Sequence, residues 1–169
     1  MSEICLLFGK PVIKDKIELL GRLRDLQARS GWTIQALDAD KVASERHLTF
    51  ACQKAMMAFV EGRNIAKDLG VEILRYASGE RQIERAFSIG LSGSTERIAL
   101  VIIRPDGQDA DGLAKEISGL IEVDGRGCYF REDIIRAAFD ISDEEVRAAG
   151  RERIQDLVIE RVALVDTYR

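Results

Sequence analysis

Proline, cysteine and histidine are scarce in this chain, and each scarcity removes a class of explanation. Two prolines in 169 residues, with charges of both signs mixed along the chain, argue against a long disordered linker. Three cysteines, Cys5, Cys52 and Cys128, are odd in number and far apart. That suits neither a disulfide framework nor a zinc site with closely paired ligands, so no metal is expected and the thiols are expected buried and free. The one histidine, His47, has no partner at triad or ligand spacing and is expected at a surface or boundary position. No apolar run approaches the roughly 20 residues that span a bilayer. The start MSEICLLFGK lacks a basic region before a cleavable apolar stretch, so a cytoplasmic protein is expected. Positive charge is also in deficit: a net charge of −4 excludes a general polyanion binder.

What is present is hydrophobic residue, at 46%, enough for the core of one domain over residues 1–169. Ile4 to Phe8, closed by Gly9-Lys10-Pro11, reads as a strand. Ile13, Ile17, Leu20, Leu23 and Leu26 recur at helical steps until Ser30-Gly31. Trp32 to Leu37 alternates as a strand. Ser44 caps a helix whose Leu48, Cys52, Ala55, Met56 and Phe59 share a face until Gly62. Arg63 to Leu69 reads as a short helix ended by Gly70, and Val71 to Tyr76 alternates as a strand. Arg97 to Ile103 is the most apolar segment and the expected central strand, turned by Pro105-Asp106-Gly107.

Everything later reads as helix: Leu113 to Leu120, Arg131 to Phe139, Ser142 to Ala149 with a capping box, and about Arg151 to Thr167. This last helix is apolar on more than one side, which requires a central position or a partner on its outer face. The expected fold is α+β, a small mixed or antiparallel sheet of about four strands packed with several helices.

Catalytic signatures fail. Gly90-Leu91-Ser92-Gly93-Ser94 has serine where a nucleophile elbow needs its last glycine. Gly125-Arg126-Gly127-Cys128 lacks the third glycine of a dinucleotide loop. The distinctive stretch is Ser78-Gly79-Glu80-Arg81-Gln82-Ile83, where a serine and a glycine before a helix leave backbone N–H groups free to hold an anion, with Arg75 and Arg81 nearby. Plain capping by Ser78 is the alternative. Residues 61–104 hold seven basic against six acidic residues, a balance of +1, so the remainder of the chain sums to −5, which permits a local anion-binding face.

The segment RNIAKDLGVEILRYASGERQIERAFSIGL, residues 63–91, resembles the central signature of the Cgi family. These are small regulatory subunits of the KEOPS tRNA-modification complex. The resemblance is strongest at Asn64-Ile65-Ala66, Glu72-Ile73-Leu74, Tyr76-Ala77-Ser78-Gly79 and Arg81-Gln82-Ile83, and looser over the rest of the chain. It implies an α+β subunit without catalytic residues or cofactor. Such a subunit docks on the Bud-type atypical kinase, stimulates it, and helps a separate transferase install threonylcarbamoyladenosine (t6A) on tRNA. It also implies binding of the single-stranded CCA 3′ end of tRNA, which makes Arg63, Asn64, Lys67, Arg75, Ser78, Gly79, Arg81 and Gln82 candidate contacts. In the terminal helix, Ile159, Ala163 and Leu164 become a candidate kinase-binding core with Arg153 and Arg161 at its rim.

Two readings compete with this one. A small enzyme acting on a phosphorylated metabolite would use the SGER turn as anion cradle with Glu80 or His47 as base, and needs a deep pocket there. A homodimer would use the apolar terminal helix.

Overall fold

The computed structural model describes residues 2–108 and 111–167. In chain order it contains β1 (Glu3–Pro11), α1 (Lys16–Ser30), β2 (Thr33–Asp38), α2 (Glu45–Val60), α3 (Leu69–Ser78), α4 (Ile83–Ala86), β3 (Ile98–Arg104), α5 (Asp111–Ser118), β4 (Ile121–Val123), α6 (Glu132–Ala138), α7 (Asp143–Ala149) and α8 (Ile154–Leu164). Single 3-10 turns lie at Ala39–Lys41, Phe87–Ile89 and Arg151–Arg153. The strands form one antiparallel sheet in the order β2-β3-β1-β4, so the fold is α+β, as expected. Among the described residues no helix is long and apolar enough to cross a membrane.

Contacts divide the chain into a sheet unit, residues 1–39 and 91–127, and a helical unit, residues 40–90 and 128–169. In the sheet unit β3 is interior, and Ile98 to Ile103 are all buried because both faces of the strand are covered. One face pairs Ile34 with Ile102 and Ala36 with Leu100. Leu19, Leu23 and Leu26 of α1 and Ile117 of α5 belong to the same cluster, with Trp32. Asp15 caps α1 by accepting from the N–H groups of Ile17 and Glu18, and Gly31 ends it in the left-handed conformation.

The helical unit is built around α2 and α3. Ser44 caps α2 by accepting from the His47 N–H, and Leu48, Ala51, Cys52, Ala55 and Ala58 are buried along it. Ile154, Val158 and Val162 supply the buried stripe of α8, and Ser142 with Glu145 forms the expected capping box of α7.

Four expectations change. The stripe of α1 is Leu19-Leu23-Leu26, with Leu23 and Leu26 as expected, and Ile17 is 81% exposed because the helix begins only after Asp15 and Leu19, four before Leu23, takes the inner position. The segment after Leu120 is not helical throughout: Ile121–Val123 forms β4, too short to show alternation. Residues 63–68 are not a helix, and Val71 to Tyr76 is not a strand but lies within α3. Residues 72–78 are all buried, the polar Glu72, Arg75 and Ser78 included, and the β-branched and aromatic Val71, Ile73 and Tyr76 give the segment the composition of a strand. The thiols also separate, with Cys52 buried, Cys128 half-buried and Cys5 exposed.

Gly9 decides whether β4 can pair. It lies opposite Val123, and a Cβ there would collide with the Glu122 carbonyl. Gly9→Val is therefore expected to detach the short edge strand at a cost of about 1–3 kcal/mol. Hydrogen exchange checks this: amides 121–123 should lose protection while those of β3 keep theirs, and equal protection in both proteins would contradict it.

Candidate functional site

Residues 63–91 are organised by one buried ion pair. Asp68 caps α3 by accepting from the Val71 N–H at 3.0 Å. One turn in, Glu72 is fully buried, and its carboxylate accepts from the Ala66 N–H at 2.8 Å, the Ile65 N–H at 3.4 Å and the Arg75 guanidinium at 2.5 Å. Arg75 is 3% exposed and donates from Nε to the Arg81 carbonyl at 2.8 Å. A charge without such partners would be very costly to bury. The pair thereby holds the loop entering α3 and the turn leaving it.

That turn is a helix C-terminus. Gly79 has φ of 71°, its N–H donates to the Tyr76 carbonyl, and the Glu80 N–H donates to the Arg75 carbonyl, closing a Schellman motif. Ser78 Oγ donates to the Arg75 carbonyl at 3.0 Å and accepts from the Glu80 N–H at 3.3 Å. The N–H groups expected to cradle an anion are consumed, and the dipole end here is the negative one. The following helix, α4, is a single turn without a side-chain cap. Capping is thus what Ser78 does, though at the opposite helix end from the one expected.

The candidate nucleic-acid residues separate by exposure. Arg75 and Ser78 are buried, and Arg75 is spent on Glu72. Arg63 is half-buried, bonded to Glu61, to Asp166 at 2.8 Å and to the Tyr76 hydroxyl at 3.2 Å. Asn64 Nδ2 donates to the Ala66 carbonyl at 2.8 Å. Gly79 is half-buried, and a Cβ on it would sit 3.2 Å from the Cβ of Arg161. Lys67, Arg81 and Gln82 are exposed, together with Arg85 and the Phe87 ring. Phe87 is exposed because the 3-10 turn that follows α4 buries Ile89 instead.

The partner-binding candidates divide too. Arg161 is an internal staple: it donates to the carbonyls of Phe139 at 2.7 Å, Leu157 at 3.3 Å and Asp140 at 3.2 Å, and to the Glu145 carboxylate at 2.9 Å. It does not stand at a rim. Leu164 is half-buried, Arg153 is exposed on the 3-10 turn before α8, Ala163 is exposed and Ile159 is half-buried. Ile159 lines a groove of about 450 Å³ with Arg46, Thr49, Phe50 and Gln53 of α2. Further along the same face of α2, Met57 and Val60 are 51% and 84% exposed. Ion pairs of Arg46 with Asp156 and Lys54 with Asp166 set α2 and α8 side by side.

Ser78 lines a cavity of about 70 Å³ with Lys41, Ser88 and Phe139. Lys41 Nζ donates to the Ser88 carbonyl at 2.6 Å across it. His47 is wholly buried, contrary to its expected surface position. Its Nδ1 accepts from the Ala43 N–H at 3.1 Å, so Nε2 carries the proton and donates to the Ala77 carbonyl at 2.7 Å. Burial pushes its pKa down to about 4, outweighing the opposite effect of the bond to Ala77.

A family model described as kinase binding protein CGI-121 matches residues 13–166. The chain belongs to this family. It is also similar to the regulatory protein Cgi121 of Methanocaldococcus jannaschii, with 30% identity over 136 residues, 80% of this chain and 85% of that relative. The resemblance carried by residues 63–91 is therefore sound at the level of the family, and the fold is the one that it implied.

In this CGI-121 family chain, sequence reasoning missed Glu72, Tyr76 and Asp166 as organisers of the helical unit. Asp166 receives Lys54 at 2.5 Å, the Tyr76 hydroxyl at 2.5 Å and Arg63 at 2.8 Å. Partial burial opposes its charge, but these partners prevail and hold the carboxyl below its usual range. Burial and the bond to Asp166 push the Tyr76 phenol up to about 12. Glu72 and Arg75, three apart, did carry a signal, since i,i+3 opposite charges fit a helix and would lie on opposite faces of a strand.

Two predictions concern these buried groups. Glu72→Gln should cost about 3–5 kcal/mol by leaving Arg75 unpaired, and Glu72→Gln with Arg75→Met less than the sum of the singles. Urea unfolding of the four proteins tests this, and simple additivity would refute it. For His47, the folded pKa lies below the unfolded value of 6.5, so its contribution is complete above pH 6.5 and is lost as pH falls towards 4. Over that window stability should decline by about 3 kcal/mol, at 1.36 kcal/mol per pH unit. A His47→Gln protein should show a visibly flatter pH profile.

Proposed function

We propose that this chain is a non-catalytic regulatory subunit of the KEOPS complex, binding its Bud-type kinase and bringing the 3′ end of tRNA to t6A synthesis. The observation that carries the kinase half is the groove of Phe50, Gln53 and Ile159, continued by exposed Met57 and Val60, in a member of a kinase-binding family. Exposed apolar side chains at helical spacing on neighbouring helices fit the buried core of a modest interface, and the exposed Arg46–Asp156 pair fits its rim. The docking face is therefore assigned to α2 and α8 jointly, with Ile159 and Ala163 retained from the terminal helix and Arg161 removed.

For tRNA, the proposed contacts are Lys67, Arg81 and Gln82, joined by Arg85 and Phe87. Their exposure supports this choice, as does the chemistry: arginine holds phosphate, glutamine reaches a base edge, and an aromatic ring stacks an unpaired base. Arg75 and Ser78 serve by shaping the turn from within. The 70 Å³ cavity beside Ser78 is too small for a phosphorylated metabolite, and His47 has both ring nitrogens engaged, which weighs against the enzyme reading.

Co-purification with the cognate kinase and binding of tRNA with and without its CCA end separate the two halves. Phe50→Asp with Ile159→Asp should abolish kinase binding and leave tRNA affinity intact. Arg81→Glu with Arg85→Glu should weaken intact tRNA by about tenfold or more, towards the level of CCA-less tRNA, and leave the kinase bound. Kinase retention by the first variant would sink the docking face. Equal binding of both tRNAs by every protein would sink the tRNA site.

A further inference from the structure

The sheet unit contains a cavity that neither proposed surface uses. Of about 320 Å³, it lies between the sheet and α5, with Cys5, Leu7, Trp32, Ile102 and Ile117 as its apolar walls. Its polar end is set by strand register. Glu3 and Arg104 stand opposite each other on β1 and β3, two residues beyond the Cys5–Ile102 pair, and their side chains form an ion pair. From Leu7 to Glu3 the strand advances four residues, roughly 13 Å at about 3.3 Å per residue. Apolar walls with a charged group at one end are the common design of a site for an amphiphile.

The two charges are not equivalent. Glu3 is the first residue of β1 and its side chain is 62% exposed, so it can turn into solvent. Arg104 is held at the end of β3, its side chain 34% exposed, and it lines the cavity together with Trp32. Its Nη2 reaches Glu3, and among the described residues no acceptor engages Nε or Nη1. When Glu3 turns away, the Nε/Nη2 or the Nη1/Nη2 fork of Arg104 can take another carboxylate through two parallel bonds. Partial burial and the Glu3 carboxylate push the Cys5 thiol up, so it remains a neutral, apolar wall group.

We propose that this cavity binds a monocarboxylate with an unbranched apolar chain of about eight carbons, its chain along Leu7, Cys5 and Ile117 and its carboxylate on Arg104 in place of Glu3. The length follows from the span of the strand and the end-group from Arg104. This site is independent of the kinase and tRNA readings.

Trp32 is the only tryptophan, so its emission reports occupancy directly. Octanoate, octylammonium and octanol are titrated into the full chain at neutral pH, and alkylation of Cys5 by iodoacetamide is followed in parallel. Octanoate should give a saturable change in emission and protect Cys5, and octylammonium should do neither. Arg104→Gln should weaken octanoate by about tenfold while leaving octanol unchanged. Ala114→Phe, which enlarges an exposed side chain of α5 at the cavity wall and leaves Trp32 the sole tryptophan, should block both, with circular dichroism confirming the fold. Equal responses to octanoate and octylammonium, or unaltered octanoate binding by Arg104→Gln, overturn the proposal.

Discussion

The Glu72–Arg75 ion pair is the constraint on which the helical unit rests. A carboxylate at 0% exposure and a guanidinium at 3% cannot be left half-satisfied, and the chain meets their demands with its own backbone. The N–H groups of Ile65 and Ala66 come to Glu72 from before α3, and the carbonyl of Arg81 comes to Arg75 from after it. The surface residues Lys67 and Arg81 thus sit on loops whose courses are set from inside. A family signature rich in polar residues need not be a list of ligand contacts. Here its most charged members divide between a buried frame and the exposed residues that the frame presents.

That division explains what the sequence could and could not reveal. Four elements of the sheet unit were readable: α1 and β2 by the period of their apolar residues, β1 and β3 as short continuous apolar runs. The capping box of α7 and the serine cap of α2 were readable because they are local chemistry. The error at α3 has a single cause. The β-branched and aromatic residues Val71, Ile73 and Tyr76 favour a strand by propensity, and the tertiary burial of Glu72 and Arg75 that decides for helix is not visible in the sequence. With the helix misassigned, the turn after it acquired the wrong polarity, and a C-terminal Schellman turn was taken for an anion-holding N-terminus. The family itself was legible, because residue order in a signature survives an error about its secondary structure.

The candidate surfaces show the same asymmetry. Ile159 and Ala163 were visible as surplus apolar residues on α8, but the complementary face of α2 was not, since Phe50, Met57 and Val60 look like core residues until the helix is packed. Arg161 misled in the opposite direction. Its charge suggested solvent, yet it binds three carbonyls and Glu145, satisfying the C-terminal end of α6 and the left-handed residue Asp140.

Asp166 joins residues that are remote in sequence, and this bears on how the protein folds. Its partners Arg63 and Tyr76 precede it by 103 and 90 positions, so these bonds close only after the residues up to Asp166 have been made. Contacts of such long range form late, because the entropy of closing the loop must be met before the contact stabilises anything. During synthesis α2 and α3 therefore wait with their apolar sides uncovered until α8 arrives. The final helix is the closing step of the helical unit, and a nascent chain stalled before it would present the surface most prone to aggregation.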